Sequence, residues 1–406
     1  MKEYNAVLML ETGVYFKGRF FGYEGETSGE VIFNTGIVGY EEILTDPSYK
    51  GQIVVMTYPH IGNYGINYYD FESSSPKVEG FVVNEFSKIF SNWQSKDTIE
   101  NLLKKYKIVG IEKVDTRALT RYIREKGSMR GIISHVNQDL KKLYKKVKQI
   151  PSIVGRDLVK EVSCKEVYLP FSLEYQKRNE ISVYSLSKNL FIDVNATPAK
   201  YKVIVIDCGC KFNIMRLLRK YGCELIVVPA DTSFEKIINY SPDGILLSNG
   251  PGDPEGIPYV FKTVEKIINY SINNNIYLPI FGICLGHQVI ALSLGGETYK
   301  LKFGHHGINH PVKNLTTQTI EITSQNHNFA VKMEEVNGKL YVKGNKNLEV
   351  THINLNDFSC EGLRYKNLPI FAVQYHPEAA PGPNDAKYLF EEFIKMIEKK
   401  FTLIRT

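Results

Sequence analysis

This sequence predicts an α/β protein in two parts: a β-rich α/β first half, then a second half built on a mostly parallel central sheet. Three observations carry that prediction. Residues 5–58 alternate short apolar segments with turn residues. From Tyr201 onward, strand-sized apolar runs alternate with segments of helical period, the pattern of right-handed crossovers between parallel strands. The chain also has 406 residues, more than one hydrophobic core ordinarily organises, so two domains are expected, 1–190 and 191–406.

Taken in order, Ala6–Leu10, Val14–Phe20 and Glu30–Asn34 read as strands, with Glu11–Gly13 and Gly22–Gly29 as turns. Thr35–Tyr49 and Tyr58–Gly65 flank the strand Gln52–Thr57. Both are dense in Gly, Pro, Asn, Ser or His, which marks loops with a task. Val78–Glu85 is a strand and Thr98–Tyr106 a helix. Asp115–Gly127 is a helix with an acidic N-cap and a glycine stop. Ser128–Ser134 is a strand, and Leu140–Ile150 and Ile153–Val159 read as helical. Periodicity weakens from Val162 to Lys200, which places the domain boundary near 190–200. The strands Tyr201–Asp207, Glu224–Pro229, Gly244–Ser248, Leu278–Ile283 and Ile370–Gln374 follow. Cys210–Tyr221, Ser233–Asn239, Pro258–Asn274, Leu285–Leu294 and Ala386–Lys399 read as helices. Glu297–Lys302, Thr319–Ser324 and Lys339–Lys343 read as hairpin strands.

Composition narrows the class. Charged residues make up 23% and hydrophobic residues 43%, ordinary for a globular protein. The net charge of +6 is spread widely, and Lys141–Lys148 reads as a solvated helix face, so no nucleic-acid partner is expected. The six cysteines form neither a dense disulfide framework nor a C-x-x-C clip, which fits a reducing, cytoplasmic compartment. Met1–Leu10 is too polar for a signal peptide, and no apolar run reaches membrane-spanning length. Gly338-Lys339 is followed by Leu340, without the upstream glycine of a nucleotide-binding loop, so no ATP site is expected on this chain.

The chemistry centres on Leu278–Gly296. An apolar strand stops at Cys284, a helix starts at Leu285, and Gly282 and Gly286 bracket the cysteine. That is the cysteine form of a nucleophile elbow, with the thiol at a helix N-terminus that favours a thiolate. Alone, the corner leaves two readings open, a nucleophile or a buried structural thiol. His376 follows a buried strand at its C-terminal end, where open α/β sheets build their sites, and Glu378 stands two residues on. In extended backbone the two side chains share a face, so Glu378 can orient His376 toward Cys284. Asn249–Pro254, also at a strand end, brings Gly250 and Gly252 as backbone donors, and the N–H of Leu285 supplies the other half of an oxyanion hole. His305, His306 and His310 fit no common zinc spacing, and no metal is expected; they read as loop-shaping or interface residues. His287 is read as structural and His60 as part of a domain-packing loop.

Gly282-Ile-Cys-Leu-Gly-His-Gln288, Ser248-Asn-Gly-Pro-Gly-Asp-Pro254 and His376-Pro-Glu378 together resemble the class I, triad-type glutamine amidotransferases. Phe33-Asn-Thr-Gly36, Gly39–Tyr49, Thr57–Asn63 and Val114–Arg121 look like the small subunit of carbamoyl phosphate synthetase. So do Phe303–Pro311, Ser324-Gln-Asn-His327 and Pro381–Asp385. The resemblance covers nearly the whole chain and implies a class I amidotransferase domain behind an N-terminal docking domain.

It also implies glutamine hydrolysis by Cys284, His376 and Glu378. L-Glutamine would be held by Ser48, Gly250, Gly252, Leu285, Gln288, Asn326, Asn328 and Phe329. Ammonia would pass to a large synthetase subunit, which would carry the ATP and divalent metal and make carbamoyl phosphate for arginine and pyrimidine biosynthesis. Asn328 stands where the family usually has glycine. Asn tolerates left-handed backbone, so a backbone-only contact would survive there. Residues 331–350 look longer than usual, and Asn337-Gly338 suggests a surface hairpin. Three other readings compete: an amidotransferase subunit of another synthase, such as one making anthranilate; an inactive scaffold subunit; and a γ-glutamyl hydrolase. The first 190 residues argue against the first and last, the filled triad against the second.

Overall fold

The computed structural model describes residues 4–172 and 197–405, so the expected boundary at 190/191 lies outside the described residues. The first half closes on itself. Its strands, in spatial order Ala6–Leu10, Tyr15–Gly22, Val109–Glu112, Gly80–Val82, Gln52–Met56, Glu26–Asn34 and Met129–Ser134, form a barrel. Closure leaves no unpaired edge, and alternate side chains fill the interior, among them Leu8, Val31, Ile53, Val82 and Ile111. β-Rich content was legible in the sequence; closure was not.

The second half is one twisted sheet. Five strands run parallel in the order Cys223–Pro229, Tyr201–Asp207, Gly244–Leu247, Ile280–Ile283 and Ile370–Val373. Antiparallel strands Cys360–Tyr365, Asn345–Asn354, Thr298–Asn314 and Ile320–Val331 extend it. Helices cover both faces, and the apolar side chains of the parallel strands divide between two cores, as a doubly covered sheet requires. The C-terminal ends of the parallel strands lie at one edge, against the barrel.

Local chemistry explains most elements. Asp115 caps the helix Thr116–Lys126 through Ala118 N (2.9 Å), and Gly127, at φ 96°, ends it. Asn337 and Gly338, at φ 52° and 75°, turn Met333–Val336 back onto Lys339–Val342, the hairpin expected there. Three expectations fail. The helix at Ile153–Val159 is instead a turn followed by a short helix at Val159–Val162, because Gly155, at φ 73°, interrupts the segment. The hairpin strands at 297–302 and 319–324 are far longer, and their register shifts are absorbed by bulges. His305, His306 and His310 therefore sit on a strand, not in a loop.

Candidate active site

Four strand ends meet over the sheet. Ser248 and Asn249 follow Gly244–Leu247, Cys284 follows Ile280–Ile283, His376 follows Ile370–Val373, and Lys211 lies beyond Tyr201–Asp207. Cys284 is at φ 54°, ψ −102°, a sparsely populated conformation that marks the elbow. Its N–H donates to Val373 O (2.9 Å), and Gly286 N donates to Ser248 O (3.1 Å), pinning the corner between two strands. A Cβ on Gly286 would lie 2.3 Å from Leu247 O, so this position takes only glycine. Cys284 Sγ lies 3.5 Å from Asn326 O and accepts from Gln374 Nε2 at 3.7 Å.

His376 Nδ1 donates to Glu378 Oε1 at 2.7 Å. The backbone between them is a turn closed by Ala379 N to His376 O (3.1 Å), so the pair forms without the extended spacer expected from the sequence. Both residues are buried. Burial alone would lower the His376 pKa. The Glu378 carboxylate and the Cys284 sulfur outweigh it and push the imidazole up to about 10. Burial likewise opposes ionisation of Glu378, but Lys211 and then His376 hold it down at about 2. His376 Nε2, on the other side of the ring, is turned toward the Cys284 sulfur. The arrangement stores a protonated imidazole beside a sulfur nucleophile, with a carboxylate fixing the ring.

Several members of the site were not singled out from the sequence. Lys211 Nζ lies 3.0 Å from Glu378 Oε1 and donates to Ala379 O (2.5 Å), with its side chain 2% exposed. A lysine at the N-cap of Phe212–Lys220 opposes the helix dipole, a usable sign that a carboxylate waits nearby. Asp46 caps the 3-10 helix Pro47–Tyr49 through Ser48 N (2.8 Å), and Asp46 Oδ2 accepts from Asn326 Nδ2 (3.0 Å). Asn249 Nδ2 donates to Ser48 Oγ (2.8 Å). Asp46 and Ser48 thus reach from the barrel half to residues of the second half.

Of the residues expected to hold substrate, Ser48 and Asn326 converge near Cys284 through these bonds. Gln288 Nε2 donates to Phe329 O (2.7 Å) and Gln374 Oε1 (3.0 Å), which ties the nucleophile helix to the strand carrying Asn326. Gly250 packs on Cys208 O and Leu285, whereas Gly252, at φ 90°, lies against Leu158 and Arg156 O. Phe329 packs with Ile153 and Leu158. Asn328 does not adopt the left-handed backbone considered for it: it lies within Ile320–Val331, and its side chain turns to His306 (3.2 Å). His305, His327 and Glu361 gather ligand-capable atoms within 4.8 Å. Their contacts are already taken. His305 Nε2 bonds Asp357 (2.9 Å), His327 bonds Phe329 O (2.8 Å) and Gln325 (2.9 Å), and Glu361 accepts from Asn354 (2.8 Å) and Gln325 (2.9 Å). All six cysteines are unpaired thiols.

Comparison with known proteins places the chain in a family. Residues 204–396 match the model for glutamine amidotransferase class-I, and residues 8–133 match the CPSase domain of the carbamoyl-phosphate synthase small chain. The second unit is a class I glutamine amidotransferase domain. Over 393 residues the chain is 51% identical to the carbamoyl phosphate synthase small chain of Aquifex aeolicus, covering 97% of this chain and 99% of that one. It is 49% identical to the protein of the same name in Syntrophotalea carbinolica (97% and 98%), and 47% identical to that of Chlorobaculum tepidum (98% and 99%). The chain belongs to the carbamoyl phosphate synthase small chain family, and its role is that of the glutamine-hydrolysing subunit. Among the described residues no helix is long and apolar enough to cross a membrane.

Proposed function

We propose that Cys284, His376 and Glu378 are the catalytic triad that hydrolyses L-glutamine. Cys284 Sγ attacks the side-chain amide carbon, and His376 gives its proton to the leaving nitrogen, releasing ammonia and a thioester. His376 then takes a proton from water, which attacks the thioester and returns glutamate and the thiol. Glu378 orients His376, and the backbone of Leu285 and Gly250 faces the developing oxyanion. Ser48, Gly252, Gln288, Asn326, Asn328 and Phe329 complete the set assigned to glutamine. The observation that carries this reading is the 2.7 Å His376–Glu378 contact, with Nε2 turned to Cys284.

The ammonia serves a separate large synthetase subunit that uses ATP, a divalent metal and bicarbonate to make carbamoyl phosphate, for arginine and pyrimidine biosynthesis. Residues 1–190 form the docking unit and 191–406 the amidotransferase unit, in the cytoplasm. Exposed apolar side chains on the first unit, Ile37, Val38, Ile89 and Trp93, favour a protein partner there. The test mixes the chain with a large subunit, ATP and bicarbonate. Cys284→Ser abolishes carbamoyl phosphate formation from glutamine and leaves formation from ammonium. Glutamine-dependent synthesis by that variant removes Cys284 as nucleophile; wild-type failure with both nitrogen sources removes the partner.

A further inference from the structure

His306 is wedged between two side-chain amides. Its Nδ1 lies 3.0 Å from Asn326 Oδ1 and its Nε2 3.2 Å from the atom placed as Asn328 Oδ1, and which end of each amide carries the oxygen is decided by the hydrogen-bond network. The ring is buried, 2% exposed, on the strand Thr298–Asn314. Burial lowers its pKa to about 4, against the pull of both amides and with help from the neighbouring His305 charge. His305 itself stays protonated, up to about 9 despite burial, because Asp357 and Glu361 flank it. Tyr49 packs its ring near the other side of His306. His306 is thus neutral at pH 7, with one N–H and one lone pair, and cannot donate to two carbonyl oxygens.

Asp46 decides which amide presents its oxygen. The Asn326 amide also meets Asp46 Oδ2 at 3.0 Å, and a carboxylate can only accept. Asn326 therefore turns its NH2 to Asp46 and its oxygen to His306. The ring proton must sit on Nδ1, Nε2 is left as acceptor, and the Asn328 amide must present its NH2 there. We infer that Asn328 is a positioning residue: it donates to His306 Nε2, locks the Nδ1–H tautomer, and so holds Asn326 against Asp46 beside Cys284. Three hydrogen bonds then run head to tail, from Asn328 to His306, from His306 to Asn326, and from Asn326 to the Asp46 carboxylate. A chain polarised in one direction strengthens each of its members. Its far end fixes Ser48 through Asp46 Oδ1, and the backbone oxygen of Asn326 faces Cys284 Sγ.

The consequence for glutamine rests on the proposed substrate site, but the tautomer does not. Long-range nitrogen–proton correlation on the full chain labelled with 15N-histidine reads the ring directly, with His306 identified by the signal lost in His306→Gln. The wild-type ring at pH 7 is protonated on Nδ1 and bare on Nε2. In Asn328→Asp the new carboxylate can only accept, so both ring nitrogens become protonated. The glutamine KM for hydrolysis rises about tenfold, the scale of one misdirected hydrogen bond in a charged chain. A wild-type ring protonated on Nε2, or on both nitrogens, overturns the inference. So does an Asn328→Asp ring that stays neutral, or an unchanged KM beside a changed ring. If Asn328→Asp does not fold, the wild-type spectrum still decides. A wild-type chain that hydrolyses no glutamine counts against the proposed function, while the ring spectrum continues to decide the tautomer.

Discussion

At the scale of single residues, the His376–Glu378 contact ties protonation to both catalysis and stability. His376 binds its proton more tightly in the folded chain, so the pair's stabilisation is complete below the unfolded histidine pKa of about 6.5. It is lost as pH rises through about 10. Glu378 runs the other way: its stabilisation is complete above about 4.5 and is lost as pH falls through about 2. Glu378→Gln removes the largest upward influence on the imidazole. The alkaline limb of the glutaminase pH profile then moves to lower pH, and kcat falls about 10²–10⁴-fold, as when an orienting carboxylate is lost. An unmoved limb would show that Glu378 does not face His376 in solution. Cys284, His376 and Glu378, which we propose as the triad, stand out in the sequence because each lies at a strand end inside a recognisable motif. Lys211, Asp46 and His306 do not, because their roles depend on partners 20 to 280 positions away that only folding brings near, as with His306 and Asn326 or Asn326 and Asp46.

At the scale of elements, the elbow is the most constrained corner of the chain. Gly286→Ala would force a Cβ to within 2.3 Å of Leu247 O, a rigid strand carbonyl. The expected loss is about 1–3 kcal/mol of unfolding free energy, read by urea titration, with glutaminase activity falling further than stability because Cys284 moves with the corner. A variant of unchanged stability would mean that the strand and helix part more easily than their hydrogen bonds suggest. Most strands and helices could be placed from periodicity, and the Asn337-Gly338 hairpin from its turn chemistry. The long strands Thr298–Asn314 and Ile320–Val331 were cut short because Gly304, Gly307 and Pro311 look like loop punctuation; instead, register shifts fall around Gly304 and after Gly307, and Pro311 pairs in register with Ile322.

At the scale of the whole molecule, two halves with separate cores meet over the site. Glu72 and Arg216 join them through a 2.8 Å contact with both side chains 1% exposed. Phe212 N and Asn213 N also donate to Glu72, at 3.0 and 2.9 Å. Burial keeps Glu72 above its usual range despite Arg216 and Lys211, so this contact is held by packing as much as by charge. Glu72→Gln replaces a charge-assisted contact to Arg216 by a neutral one while the contacts to Tyr69 O and Phe71 O remain, at a cost of about 1–3 kcal/mol. Differential scanning calorimetry should then resolve two transitions in place of one; a single unshifted transition would show that the halves are held together elsewhere. The change from a β-rich first half to an alternating α/β second half could be read from the pattern. How they dock could not, because the residues that join them carry no local signature.

Cys284 is 2% exposed, with Asn326 O 3.5 Å from its sulfur and the Asn326 side chain bonded to Asp46 of the barrel half. A thiol so enclosed is alkylated or oxidised slowly, so its reaction rate reports how often the site opens. Reaction with iodoacetamide is then a clock for that motion. Its rate at Cys284 should rise in Glu72→Gln and slow when glutamate or a glutamine analogue fills the cleft. Shelter for the sulfur and admission for the substrate become one event, and a chain that opens too readily would lose its nucleophile to peroxide before it lost its fold.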